Sequence, residues 1–113
     1  MELPTLAVID ILGEVSNKIA GVYSNFPLTR INDHVVRVSV MTEDYYWHLH
    51  PNSDETFQVI EGVIFIDLDD RTVELSPGQL FTIPKNTRHR TRPKSGRSVN
   101  LTFESINMET IRI

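Results

Sequence analysis

The chain of 113 residues contains no cysteine, so it can form no disulfide and offers no thiolate to a metal. Any metal site must therefore be built from imidazole and carboxylate. Positive charge is also in short supply. Eleven Lys and Arg stand against 15 Asp and Glu, a formal net charge of −4. Phosphate contacts need a basic face, so a nucleic-acid partner is not expected. No apolar run approaches the roughly 20 residues of a membrane span, and no membrane partner is expected either. Residues 1–18 have no basic segment ahead of their apolar residues and no small-residue cleavage site, which argues against a signal peptide and for a cytoplasmic protein. Bulk is the last shortage. A chain of this length is one domain that buries about two-thirds of its unfolded surface, so it would gain from dimerisation.

What is present falls into an N-terminal extension, residues 1–34, and a β-rich body, residues 35–113. In the extension Val8, Ile11, Leu12, Val15 and Ile19 recur at helical spacing, and Pro4 sits where a helix could begin. Gly13 and the β-branched Val8 and Ile9 argue the other way, so helix and strand both stay open. Asn25-Phe26-Pro27 and Asn32-Asp33 read as turns. From Val35 the period becomes two. Val36, Val38 and Val40 share one face of a strand over 35–41, with Arg37 and Ser39 on the other. Further strands are expected over 44–50, 55–62, 63–68, 72–75, 79–84, 88–92 and 98–104. Turns at Pro51–Asp54, Asp69-Asp70-Arg71 and Ser76-Pro77-Gly78 separate several of them. Short strands at this spacing indicate an all-β barrel or sandwich.

His48 and His50 lie two apart on an expected strand, so their side chains share a face with Cα atoms about 6.5–7 Å apart. Glu55 starts the strand beyond the next turn and can look into the same interior. Its neighbour Asp54 then points away and is a turn residue or a support for the ligands. Downstream, Pro84 ends a strand, Lys85-Asn86 turns the chain, and His89 re-enters the sheet. These residues offer a three-histidine, one-carboxylate set.

The two stretches TEDYYWHLHPNSDETFQVIEG and GQLFTIPKNTRH resemble the paired motifs of the cupins. In the first, His48, His50, Glu55 and Gly62 are in register, while Thr42 stands where the family has a leading glycine. In the second, Gly78, Pro84 and His89 match, Asn86 replaces a glycine and Pro93 replaces an asparagine. The departures fall at turns and at a late structural position, and all four ligand positions are kept. The resemblance runs from Val35 to about Glu104 and is strongest to the small single-domain cupins called mannose-6-phosphate-isomerase-like. It implies an all-β, double-stranded β-helix (jelly-roll) barrel. It also implies one divalent transition metal (Fe, Mn, Ni, Zn, Co or Cu) on His48, His50, Glu55 and His89. Four protein ligands on an octahedral ion leave two positions for water or substrate.

The resemblance implies a metal-dependent enzyme acting on a small molecule, with oxygenase-type chemistry ahead of isomerase or lyase chemistry. Glu55 either tunes the metal or acts as a general base. Tyr46 is expected on the face of His48 and His50, as a pocket hydroxyl or as a core aromatic. Phe57 and Val59 should follow Glu55 inward and make the pocket substantially apolar. Arg88, Arg90 and Arg92 are expected outward on a solvated or interface face. Arg37 is an anion ligand or a surface residue, and His34 is exposed and inert. Tyr45, Trp47 and Leu49 would face away from the metal and need cover; a homodimer is expected to supply it, the alternative being the N-terminal segment of the same chain. The rival classes are a non-catalytic binder of small ligands and a barrel whose histidines only satisfy a polar core.

Overall fold

A computed structural model of the protein describes residues 2–18 and 23–113. Among these residues one helix, α1 (Ile11–Lys18), precedes ten strands. These are β1 (Tyr23–Ile31), β2 (His34–Met41), β3 (His48–Leu49), β4 (Glu55–Glu61), β5 (Ile64–Asp67), β6 (Thr72–Leu75), β7 (Leu80–Ile83), β8 (Arg90–Pro93), β9 (Ser98–Ser105) and β10 (Ile111–Arg112). Five form an antiparallel sheet in the order β1-β2-β9-β4-β7. Opposite it, β5 pairs with β6 and β8, β3 pairs with β10, and a bridge between His48 and His89 links the two groups. The result is the expected all-β jelly-roll.

Hydrophobic alternation places one core on each face of the large sheet. Val36, Val38 and Val40 of β2 join Val99 and Leu101 of β9, Leu28 of β1 and Val15 of α1, so this face packs under the helix. The second core lies between the sheets, where Met41, Phe57, Val59 and Ile83 meet Ile64, Ile66 and Leu75. Full burial of each such side chain is worth roughly 1.5–3 kcal/mol as an upper bound. The inner face of β9 is polar instead. Ser98, Asn100, Thr102 and Glu104 are all buried, alternating with the apolar residues that face the helix.

Several expectations need correction. Asn25-Phe26-Pro27 is strand, not turn. Pro27 is tolerated because β1 is an edge strand with an irregularity between Pro27 and Thr29. The helix begins at Ile11 rather than near Pro4, with the Asp10 carboxylate accepting from the Gly13 amide at 3.3 Å as a cap. Val8 lies before the helix, 99% exposed, and Ile19 falls outside the described residues. The strand expected over 44–50 is regular only at His48–Leu49, and β10 had no counterpart in the sequence reading. Asn32 and Asn86 adopt left-handed conformations, with φ of 53° and 64°, at their turns.

Candidate metal centre

Each ligand candidate is delivered by a different local device. His48 sits on β3, and its backbone exchanges hydrogen bonds with that of His89, at 3.0 and 2.9 Å. Two sequence-distant imidazoles are thereby fixed side by side, ring centroids 4.2 Å apart. His50 follows β3, and its carbonyl accepts from the Asn86 amide at 2.8 Å, which ties it to the turn before His89. Glu55 opens β4 facing inward. Asp54 is exposed, and its carboxylate accepts from the Lys85 amide at 2.8 Å, so it binds the two loops together rather than joining the ligands.

The four side chains converge. One candidate ligand atom from each of His48, His50, Glu55 and His89 lies within 4.8 Å of all the others, and all four residues are buried. The Glu55 Oε1 atom is 3.3 Å from His50 Nε2 and 3.6 Å from His89 Nε2. All three of these atoms are buried without a hydrogen-bond partner. Leaving such groups unpaired costs about 1–3 kcal/mol each, which a shared cation would remedy.

The other ring nitrogens set the tautomers. Nδ1 of His48, His50 and His89 lies 2.8, 3.0 and 2.8 Å from the carbonyl oxygens of Tyr46, Glu109 and Thr87. A carbonyl only accepts, so each Nδ1 carries the proton and each neutral ring keeps its Nε2 lone pair for a metal. Burial pushes the His48 pKa down to about 4, so this ring stays neutral. Burial also opposes protonation of His50, but the Glu55 carboxylate outweighs it and the net shift is upward. For Glu55, burial would raise the pKa, yet the flanking His50 and His89 rings overcome it and hold the carboxyl below the usual range. Imidazole nitrogens and a carboxylate, oriented this way and left unpaired, fit a divalent transition metal.

The surroundings are more polar than expected. A cavity of about 40 Å³ touches His48 and Glu55, and its wall includes Asn25, Ser39, Thr91 and Thr102 as well as Met41 and Phe57. Phe57 and Val59 do face the interior, but β1, β2, β8 and β9 supply the polar part of the wall, so the apolar lumen is corrected. Glu104 is the cross-strand partner of Glu55. Burial and the adjacent Glu55 charge push its carboxyl up to about 7. Sequence reasoning missed Glu104 and Thr102. Their signal was the polar alternation of SVNLTFE, which resembles an ordinary solvent-facing pattern.

Tyr45, expected to face away, joins Tyr46 beside the ligands, the two rings 5.2 and 5.5 Å from that of His48. The chain is irregular over 44–47, so alternation fails there. Tyr45 packs on the inter-sheet core and lines the small cavity. Tyr46 stacks on Tyr45 at 4.2 Å, shares a 2.9 Å hydroxyl hydrogen bond with it, and lies beneath the Arg112 guanidinium. Trp47 does face away from the ligands and is covered by Arg88 and Arg90 at 5.6 and 5.5 Å. Arg90 and Arg92 are not merely solvated: they clamp the buried Asp67 carboxylate, while Arg88 pairs with Asp69. α1 covers the valine face rather than this one, and Leu49 lies opposite Ile111 of β10. His34 is exposed and paired with Asp33.

Residues 34–103 match the cupin domain family, and the chain belongs to that family. It is 43% identical over 100 residues to the uncharacterized protein YdbB of Bacillus subtilis (strain 168), a match covering 88% of each chain. Among solved structures it resembles a cupin-2 domain containing protein from Shewanella frigidimarina NCIMB 400, with TM-score 0.81 and 24% identity over 87% of this chain and 94% of that one. The DMSP lyase DddQ from Ruegeria pomeroyi DSS-3 shares the fold, with TM-score 0.69 and 16% identity over 80% of this chain and 51% of that one. No helix among the described residues is long and apolar enough to cross a membrane.

Proposed function

We propose that the chain is a metal-dependent enzyme acting on a small, oxygen-bearing molecule. His48, His50, Glu55 and His89 would hold one divalent transition metal, drawn from Fe, Mn, Ni, Zn, Co and Cu. The observation that carries this reading is the convergence of three unpartnered buried atoms, His50 Nε2, Glu55 Oε1 and His89 Nε2. A histidine cluster serving only a polar core would pair these atoms with one another or with other groups. When bound, the ion would act as a Lewis acid on substrate oxygen or as a centre for O₂ chemistry. The protein's part is to hold each Nδ1 proton on a backbone carbonyl, present the Nε2 atoms together and restrict water to a small cavity.

Oxygenase-type chemistry is the leading reading. Isomerase or lyase chemistry draws support from a second buried carboxyl, Glu104, on the strand beside Glu55, where it could exchange a proton with bound substrate. A homodimer is part of the proposal, supported by the exposed apolar residues Leu80, Ile111 and Ile113. Sedimentation analysis at micromolar concentration tests that part, and a strictly monomeric chain contradicts it.

Enzyme and simple binder separate in one assay. Metal-loaded protein is incubated with hydroxy, oxo and phenolic compounds, with and without O₂, and products are followed by mass spectrometry. Turnover abolished by Glu55→Gln supports the enzyme. Tight binding of a compound that is returned unchanged supports the binder.

A further inference from the structure

Beside the ligand set the cavity wall carries a buried hydroxyl without a hydrogen-bond partner. Thr102 is 3% exposed, lines the cavity shared with His48 and Glu55, and its Oγ1 has no hydrogen-bond partner. Asn25 and Ser39 line the same cavity. Its 40 Å³ is room for about one water and not for an organic molecule. A separate groove of about 260 Å³ is lined by Leu3, Pro27, Arg30, Val35, Arg37 and Ile106.

Arg37 connects the groove to a residue of the cavity wall. It lines the groove, and its Nη1 donates to Asn25 Oδ1 of the cavity wall at 3.4 Å. Its Nε lies 3.7 Å from Glu104 Oε2, and a third of the side chain, 33%, is exposed. Both contacts are long, so a better acceptor could draw the guanidinium away from them. Displacing the arm would join groove and cavity into a space that approaches the smaller ligand sites, on the order of 300 Å³. With a divalent ion in place, the ion and Arg37 outweigh the carboxylates Glu55 and Glu104. That balance suits an anion.

We propose that Arg37 and Thr102 are specificity-determining residues, and that the substrate class is a short carboxylate bearing a hydroxyl or carbonyl oxygen a few carbons away. The carboxylate meets Arg37. The distal oxygen passes the Thr102 hydroxyl toward the ligand set, and the carbon chain lies against Val35 and Pro27. The inference rests on the metal-centre reading above, because the distal oxygen is oriented by the ion.

The test uses two probes of one shape, 4-oxopentanoate and 4-oxopentanamide, titrated calorimetrically into zinc-loaded protein, with metal content measured in every sample. The wild type is expected to bind the carboxylate at least tenfold more tightly than the amide. Arg37→Gln should remove that preference and Arg37→Lys should recover part of it. Thr102→Val should weaken both probes alike, and all variants should keep wild-type metal content and a cooperative melt. Equal binding of the two probes, binding of neither at millimolar concentration, or a preference that survives Arg37→Gln overturns the inference while leaving the metal centre standing. A chain that takes up no metal sinks the metal reading and this inference with it, an outcome that the metal content of each sample tells apart from a failure at Arg37.

Discussion

The Nδ1 atom of His50 lies 3.0 Å from the carbonyl oxygen of Glu109, 59 residues further along the chain. The C-terminal segment is thereby part of the candidate metal centre. Asn52 holds it there: its side-chain amide donates to the Asn107 carbonyl at 3.0 Å, and its Oδ1 accepts from the Glu109 amide at 2.9 Å. Beyond that point β10 pairs with β3, setting Arg112 opposite His48.

Asn52→Ala should therefore loosen His50 without touching a ligand. Supports of this kind typically matter by about 10–100-fold in metal affinity, and the lower end is expected because the pairing of β10 with β3 remains. Competition titration against a coloured chelator measures the change. An unaltered affinity with a wild-type melt would show that the segment does not position the ring.

Asp67 governs stability on the opposite sheet. Its buried carboxylate accepts from Arg90, Arg92 and Thr72, and above all the Arg92 contact holds its pKa well below the usual range. A depressed carboxylate pKa gives stability that is complete above the unfolded value near 3.9 and is lost as pH falls below it. Both arginines keep roughly a third of their surface exposed, which softens the loss. Asp67→Asn should cost about 2–3 kcal/mol, less than the 3–5 of wholly buried pairs. Urea unfolding at pH 7 and pH 3 checks this: the gap between wild type and variant should narrow at pH 3, and a constant gap contradicts the assignment.

Two glycines with positive φ should respond differently to alanine. At Gly62, φ is 77° and an added Cβ would lie 2.2 Å from the Arg97 carbonyl oxygen, so strain and collision combine. At Gly78, φ is 88° but nothing lies within 4 Å. Gly62→Ala should cost about 3 kcal/mol or more, and Gly78→Ala about 1–2 kcal/mol. Thermal melts of the two variants decide it. Equal losses would mean that the backbone at Gly62 shifts freely.

The ligand set was legible in the sequence because it is local. H-x-H fixes two rings on one face, the turn at Pro51–Asp54 selects Glu55 over Asp54, and the Asn86 turn returns His89. Its surroundings were less legible because they come from pairing between distant strands. The valines of β2 mark a face correctly, but not whether it meets the lumen or a helix. α1 took that face, which turned Arg37 and Ser39 inward. The 44–47 stretch misled for a related reason: the chain is irregular there, so Tyr45 turned into the inter-sheet core beside Tyr46 instead of facing away. β10 is two residues long and is specified by its partner rather than by any pattern of its own.

Metal uptake by the purified, chelator-stripped chain bears most directly on the central claim. Manganese, iron, cobalt, nickel, copper or zinc is added to wild type and to a His89→Ala, Glu55→Gln double variant, and bound metal and melting temperature are read together. One ion per chain is expected for the wild type. At a hundredfold excess over the dissociation constant, the stabilisation should be about 2.7 kcal/mol, a rise of several degrees that the double variant loses. A wild type that retains none of these ions and melts at the same temperature with or without them would contradict the account.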